Sequence, residues 1–242
     1  MRDSLVRRMP AASGIGFVAL IATDAIIRQV KHFPGFGNVA GASNEIFGTT
    51  MLLMGVGGAL LVVFGATFAA HIRRAVEGGE RLAAAIATSS AVIFGLLALA
   101  VSVEYMARAT HLPALVALGN GIVDGPALFF PAAVLVGAAG MAMLREHDVP
   151  MYKSLVAVTS ILLGASFIAG VGLMLFKNYA WINDTGYISF LAFTLVVSGI
   201  GIIDWAEIRT GYERPAEEAA PAAAPARRTP ARRAPARVKR AS

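Results

Sequence analysis

The stretch LPALVALGNGIVDGPALFFPAAVLVGAAGMAML, residues 112–144, is almost wholly apolar, yet Asn120, Asp124, Pro126 and Pro131 interrupt its first half. The interruptions divide it into a short piece, 112–118, and a longer one, 125–144. At ~1.5 Å rise per residue, the ~20 residues of the longer piece cross a hydrocarbon core of ~30 Å. Asp124 fits the N-cap of that helix, and Pro126 falls in its first turn, where a missing N–H costs nothing. The rest of the chain then reads as further spans packed around this one.

Composition supports lipid as the solvent. Of 242 residues, 57% belong to the hydrophobic set and 15% are charged, with a mean hydropathy of +0.67. Soluble domains carry nearer a quarter charged residues, and no soluble core of this size needs several separate apolar runs of ~20 residues. The chain has no cysteine, which excludes disulfides, thiolate metal sites and thiol nucleophiles. The fold class expected is all-α: a polytopic six-helix membrane bundle with spans at about 11–30, 47–70, 82–103, 125–144, 155–176 and 187–205. A cleaved signal peptide would also start with basic residues and a short apolar run, with Ala22-Thr23-Asp24-Ala25 as the cut. The pattern continues through Ala25, Ile26 and Ile27, which favours a retained first span.

Orientation follows from lysine and arginine. The basic lead 1–10, the hinge HIRRAVEGGER at 71–81, the loop 145–153 and everything after Trp205 share one side, and hold about 17 of the 21 basic residues. Without the tail the ratio is still about 8 to 4. The positive-inside rule therefore puts both termini in the cytoplasm. The tail, 211–242, is dominated by alanine, proline and arginine, and nothing in it buries a face, so it is expected to be disordered. Arg227, Arg228, Arg232, Arg233, Arg237, Lys239 and Arg240 would be drawn to anionic lipid headgroups, at roughly 1 kcal/mol per cation near the surface. The other roles weighed for the tail are a solvated topology signal and, least favoured, contact with a protein partner or nucleic acid.

Ionised side chains within spans are costly, at least ~2.5–3.5 kcal/mol at the bilayer centre, so they face the bundle or a watery cavity. Counted from the inner ends, Asp24 lies about 20 Å up its helix, with Glu104 near the outer surface and Asp124 shallow from outside. His32, Glu45 and His111 belong to the outer loops, so the outer half gathers acids, histidines and two arginines. Two readings fit. In one, Asp24 pairs with Arg28 and Glu104 with Arg108, each at i, i+4, and Asp124 caps its helix. In the other, Asp24, Glu104, Asp124, His32 and His111 line a funnel for a cation, proton or small polar solute, of the kind that forms at broken apolar segments.

Small residues recur at helix-contact spacing: Gly58 and Gly65, Ala133 and Gly137, Ser166 and Gly170. They suit a dimer seam or, more commonly, packing inside one bundle. No histidine pair lies mid-span to ligate haem, and no zinc, phosphate-loop or nucleophile-elbow motif occurs, so no metal, cofactor or enzyme activity is expected.

The first span, the outer loop ASNEIFGTT (42–50), the segment HIRRAVEGGERLAAAIA (71–87) and the alanine- and arginine-rich tail together resemble uncharacterised small multi-pass membrane proteins of high-GC Gram-positive bacteria. That resemblance implies a bacterial inner-membrane protein and carries over no functional residue. The function expected first is a non-enzymatic membrane component acting through helix or tail contacts with a partner complex. The alternative is a small permease or cation/proton-coupled carrier built around Asp24.

Overall fold

A computed structural model of the chain describes residues 2–31, 41–123, 127–146, 150–177, 186 and 188–202, with the side chains of 2–9 and 174–177 left aside. Seven helices occur among the described residues: α1 Arg2–Val30, α2 Asn44–Ala75, α3 Glu80–Thr110, α4 Pro113–Val123, α5 Phe129–Leu144, α6 Met151–Lys177 and α7 Ile188–Ile202. Four contain stretches long and apolar enough to cross a membrane: α1 from Pro10, α2, α3 and α6 as far as Leu173. The helical unit is Met1–Trp205; a second unit, Ala206–Ser242, lies outside the described residues, and so do the expected tail disorder and the tail arginines.

Helix ends follow local chemistry. Ser43 caps α2, its hydroxyl accepting from Ile46 N at 3.4 Å. The α2–α3 hinge turns at Gly78, whose φ of 67° favours a residue without a side chain. Helix α3 ends at His111, held left-handed at φ 56° while its N–H donates to Ala107 O, and Pro113 prevents continuation. Helix α5 starts at Phe129, later than residue 125, and puts Pro131 in the first turn, where the absent N–H would have had no partner. The N-cap position is Leu128, which supplies no side-chain cap; Asp124, expected there, lies outside the described residues.

The surface is inverted relative to a soluble protein. Leu52, Leu155 and Leu162 are each about two-thirds exposed, whereas Asp24, Glu104, Thr50, Ser90, Thr194 and Ser198 are buried. Buried hydroxyls bond back within their own helices: Ser90 to Ile86 O at 2.9 Å, Ser160 to Val156 O at 2.7 Å, Thr194 to Phe190 O at 3.0 Å, and Ser198 to Thr194 O at 2.7 Å. Such bonds satisfy a polar side chain where no water is at hand. This chain is a polytopic helical membrane protein.

Glycines set the helix crossings. A Cβ at Gly65 would overlap the Ser90 side chain of α3, and one at Gly58 would come 2.8 Å from Phe94. Between α5 and α6, a Cβ at Gly140 would lie 2.6 Å from Ala157 O, and one at Gly164 would lie 3.0 Å from Ala133 O and 3.2 Å from Gly137 N. Thus Gly58, Gly65, Ala133 and Gly137 serve contacts within one chain. Ser166 faces outward, and Gly164 takes the position against α5 that its spacing with Gly170 suggested for it.

Helix α4 turns back from the end of α3 and packs along it. Its last residue, Val123, lines a partly open cavity with Ile93 and Leu97, which straddle the midpoint of α3. Leu128 and Phe129, at the start of α5, line the same cavity. From there α5 runs to the far end of the bundle, where Glu146 Oε1 lies 3.6 Å from His71 Nε2 in the last turns of α2. Within the apolar stretch 112–144, the end of α4 and the start of α5 therefore both lie beside the middle of α3.

Candidate functional site

The cavity, of about 50 Å³, is walled by side chains of α1, α3, α4, α5, α6 and α7. Phenylalanines pack edge-to-face around it: Phe17 with Phe190 at 6.1 Å and 76°, and Phe129 with Phe167 at 5.4 Å and 71°. Gly186, just before α7, also lines it. A Cβ there would meet Phe129 at 2.5 Å, so only glycine allows the chain this close to the ring.

The charged residues continue the faces that line this cavity. Ile21 belongs to its wall, and Asp24 and Arg28 follow at i+3 and i+7. Leu97 belongs to the wall, and Glu104 follows at i+7. Asp24 is 4% exposed and Glu104 1%, and Glu104 lies about 9 Å short of the end of α3.

Arg28 Nε donates to Asp24 Oδ2 at 2.8 Å, the i, i+4 pair that the spacing suggests, and its Nη2 reaches Met54 Sδ on α2 at 3.5 Å. Asp24 Oδ1 is buried and accepts no hydrogen bond from the described residues. Arg108, expected beside Glu104, sends two donors to the start of α2: Nη1 to Ala42 O at 2.7 Å and Nη2 to Asn44 Oδ1 at 2.6 Å. Its guanidinium also covers the Phe47 ring at 4.6 Å, a cation–π contact that fastens the end of α3 to α2.

His111 is the exposed cap of α3, and Glu45 is exposed in the first turn of α2. His32 and Asp124 lie outside the described residues. Among the described residues, no three His, Cys, Asp or Glu side chains come together as metal ligands.

At the opposite end, Glu146 joins His71 to Lys153, whose Nζ is 3.4 Å from Oε2. Burial pushes the Glu146 carboxyl up, but the neighbouring His71 and the hydrogen-bonded Lys153 outweigh it and hold it below the usual glutamate value. This three-way contact ties α2 and α6 to the turn after α5. Spacing alone did not reveal it, because its members are scattered across the chain. The phenylalanine wall was missed for the same reason: each ring reads singly as an ordinary apolar residue.

The fold and these buried charges define the class as a helical multi-pass membrane protein without an evident catalytic or cofactor motif. No family model, curated protein or solved structure matches the chain.

Proposed function

We propose that the protein is a small, non-enzymatic permease or cation/proton-coupled carrier of the bacterial inner membrane, with Asp24 at its binding site. The observation that carries this reading is that the last residue of α4, Val123, and the first of α5, Phe129, line one cavity with Ile21, three residues before the buried Asp24–Arg28 pair. Backbone that leaves helical geometry inside a bilayer is tolerated where it is buried in protein or lines a cavity, and such breaks are where transporters place their sites. Ionisable groups at that depth are expensive enough to need a purpose.

In this reading there are six crossings with both termini cytoplasmic. Helices α4 and α5 make one interrupted crossing, and α7 forms part of the last. The lysine and arginine distribution supports that orientation, and the basic tail is assigned to anionic headgroups beneath the membrane. A role as a membrane component held in a partner complex is the competing reading, and the same experiment separates the two.

Purified protein in liposomes carrying an internal pH dye should conduct protons under an imposed potential well above empty vesicles. Asp24→Asn should reduce that flux to the background. No flux from wild type, or full flux from Asp24→Asn, contradicts the carrier reading; no flux together with one protein that co-purifies reproducibly favours the partner complex.

A further inference from the structure

The cavity and the buried ion pair are neighbours on one helix face. Ile21 lines the cavity, and Asp24 sits three residues on, about 4.5 Å further along α1. The walls are apolar and largely aromatic. At about 50 Å³, the cavity is roughly one-third the size of the ~150 Å³ apolar pocket known to hold benzene, so it has room for one or two carbons.

Next to it, Asp24 Oδ2 is engaged by Arg28 at 2.8 Å, and Oδ1 is buried without a donor from the described residues. A buried carboxylate oxygen left this way is costly and calls for a donor. The donor that suits this place carries positive charge, which the carboxylate attracts through a charge-assisted hydrogen bond and the ring faces attract through their quadrupoles. It also carries a short apolar body, matched to the roughly 50 Å³ enclosed by the phenylalanine walls.

We propose that this place binds a small primary alkylammonium ion of methylammonium or ethylammonium size. Its ammonium donates to Asp24 Oδ1, and its carbons enter the cavity between the phenylalanines. The assignment rests on the carrier reading above and names the ligand class for that site. An anion would meet the Asp24 carboxylate, and a longer alkyl chain would meet Ile21, Leu97 and Ala132.

The test is equilibrium binding of radiolabelled methylammonium chloride to the full chain in mild detergent at pH 7, where an alkylamine is protonated as a lysine side chain is. The expected result is saturable binding to one site per chain, displaced by ethylammonium and at least tenfold less well by butylammonium. Asp24→Asn should weaken binding at least tenfold. Because loss of the carboxylate can disturb folding, Ala132→Leu serves as a second variant: it fills the cavity from its wall, and should lose ethylammonium binding while eluting from a sizing column as wild type does.

Absence of saturable binding by wild type overturns the proposal, as does affinity unchanged in both variants or butylammonium bound as tightly as methylammonium. Asp24-dependent proton flux without methylammonium binding would overturn this ligand and leave the carrier reading intact. Binding without flux would support the ligand site and contradict the carrier.

Discussion

Arg28→Ala is expected to destabilise the protein by about 3–5 kcal/mol, because it leaves the Asp24 carboxylate buried with no cation beside it. The pair lies inside the bundle, its side chains 11% and 5% exposed, so neither solvent nor salt replaces the lost partner. For a chain of this size, the melting temperature in mild detergent should fall on the order of 10 °C. The double variant Asp24→Leu/Arg28→Met removes both charges and keeps the volume, and should come within about 2 kcal/mol of wild type. The contrast between the two variants is the diagnostic result. A melting temperature unchanged in Arg28→Ala would mean that water reaches the pair, and that Asp24 is not the enclosed carboxylate that both functional proposals require.

The second large effect is expected at the α5–α6 crossing. Gly140→Val adds atoms where even a Cβ would lie 2.6 Å from Ala157 O, and the obstacle is backbone that no rotamer change removes. The two helices must separate, at a cost of about 3 kcal/mol, and a lower melting temperature should come with a broader elution peak. Gly95→Ala is the control. Nothing lies within 4 Å of a Cβ at Gly95, so helix propensity alone acts and the variant should be more stable by about 0.5–1 kcal/mol. If both variants behave alike, close packing at Gly140 is not what holds α5 against α6.

Much of this architecture is readable from the chain. The apolar runs give the helices, the Asp24–Arg28 spacing gives the buried pair, and the small residues at 58, 65, 133 and 137 mark real crossings. What could not be read is depth. Hydropathy marks 112–118 only as a short apolar piece, because nothing local says whether such a helix lies across a bundle end or turns down into it. Helix α3 continues past the expected span, which ends at about residue 103, to Thr110, and α4 packs back along it.

Arg108 illustrates a second limit. Its guanidinium also reaches Ala42 O and Asn44 Oδ1 more than sixty residues away, which no local spacing could indicate, because antiparallel packing of α2 and α3 brings those groups level with it. Gly140 and Gly164 stayed hidden for a related reason. Each became significant only once the partner helix supplied a carbonyl against it.

The central claim is that α4 and α5 together form one crossing broken beside the cavity. The chain has no native cysteine, so single cysteines test it directly. Leu112→Cys and Arg145→Cys place exposed thiols at the two ends of the interrupted stretch. A membrane-impermeant maleimide applied to intact cells should label Leu112→Cys, and should label Arg145→Cys only after the membrane is opened. Equal labelling of both from the same side would make α4 and α5 a hairpin that enters and leaves by one face, and would contradict the interrupted crossing and the site built on it.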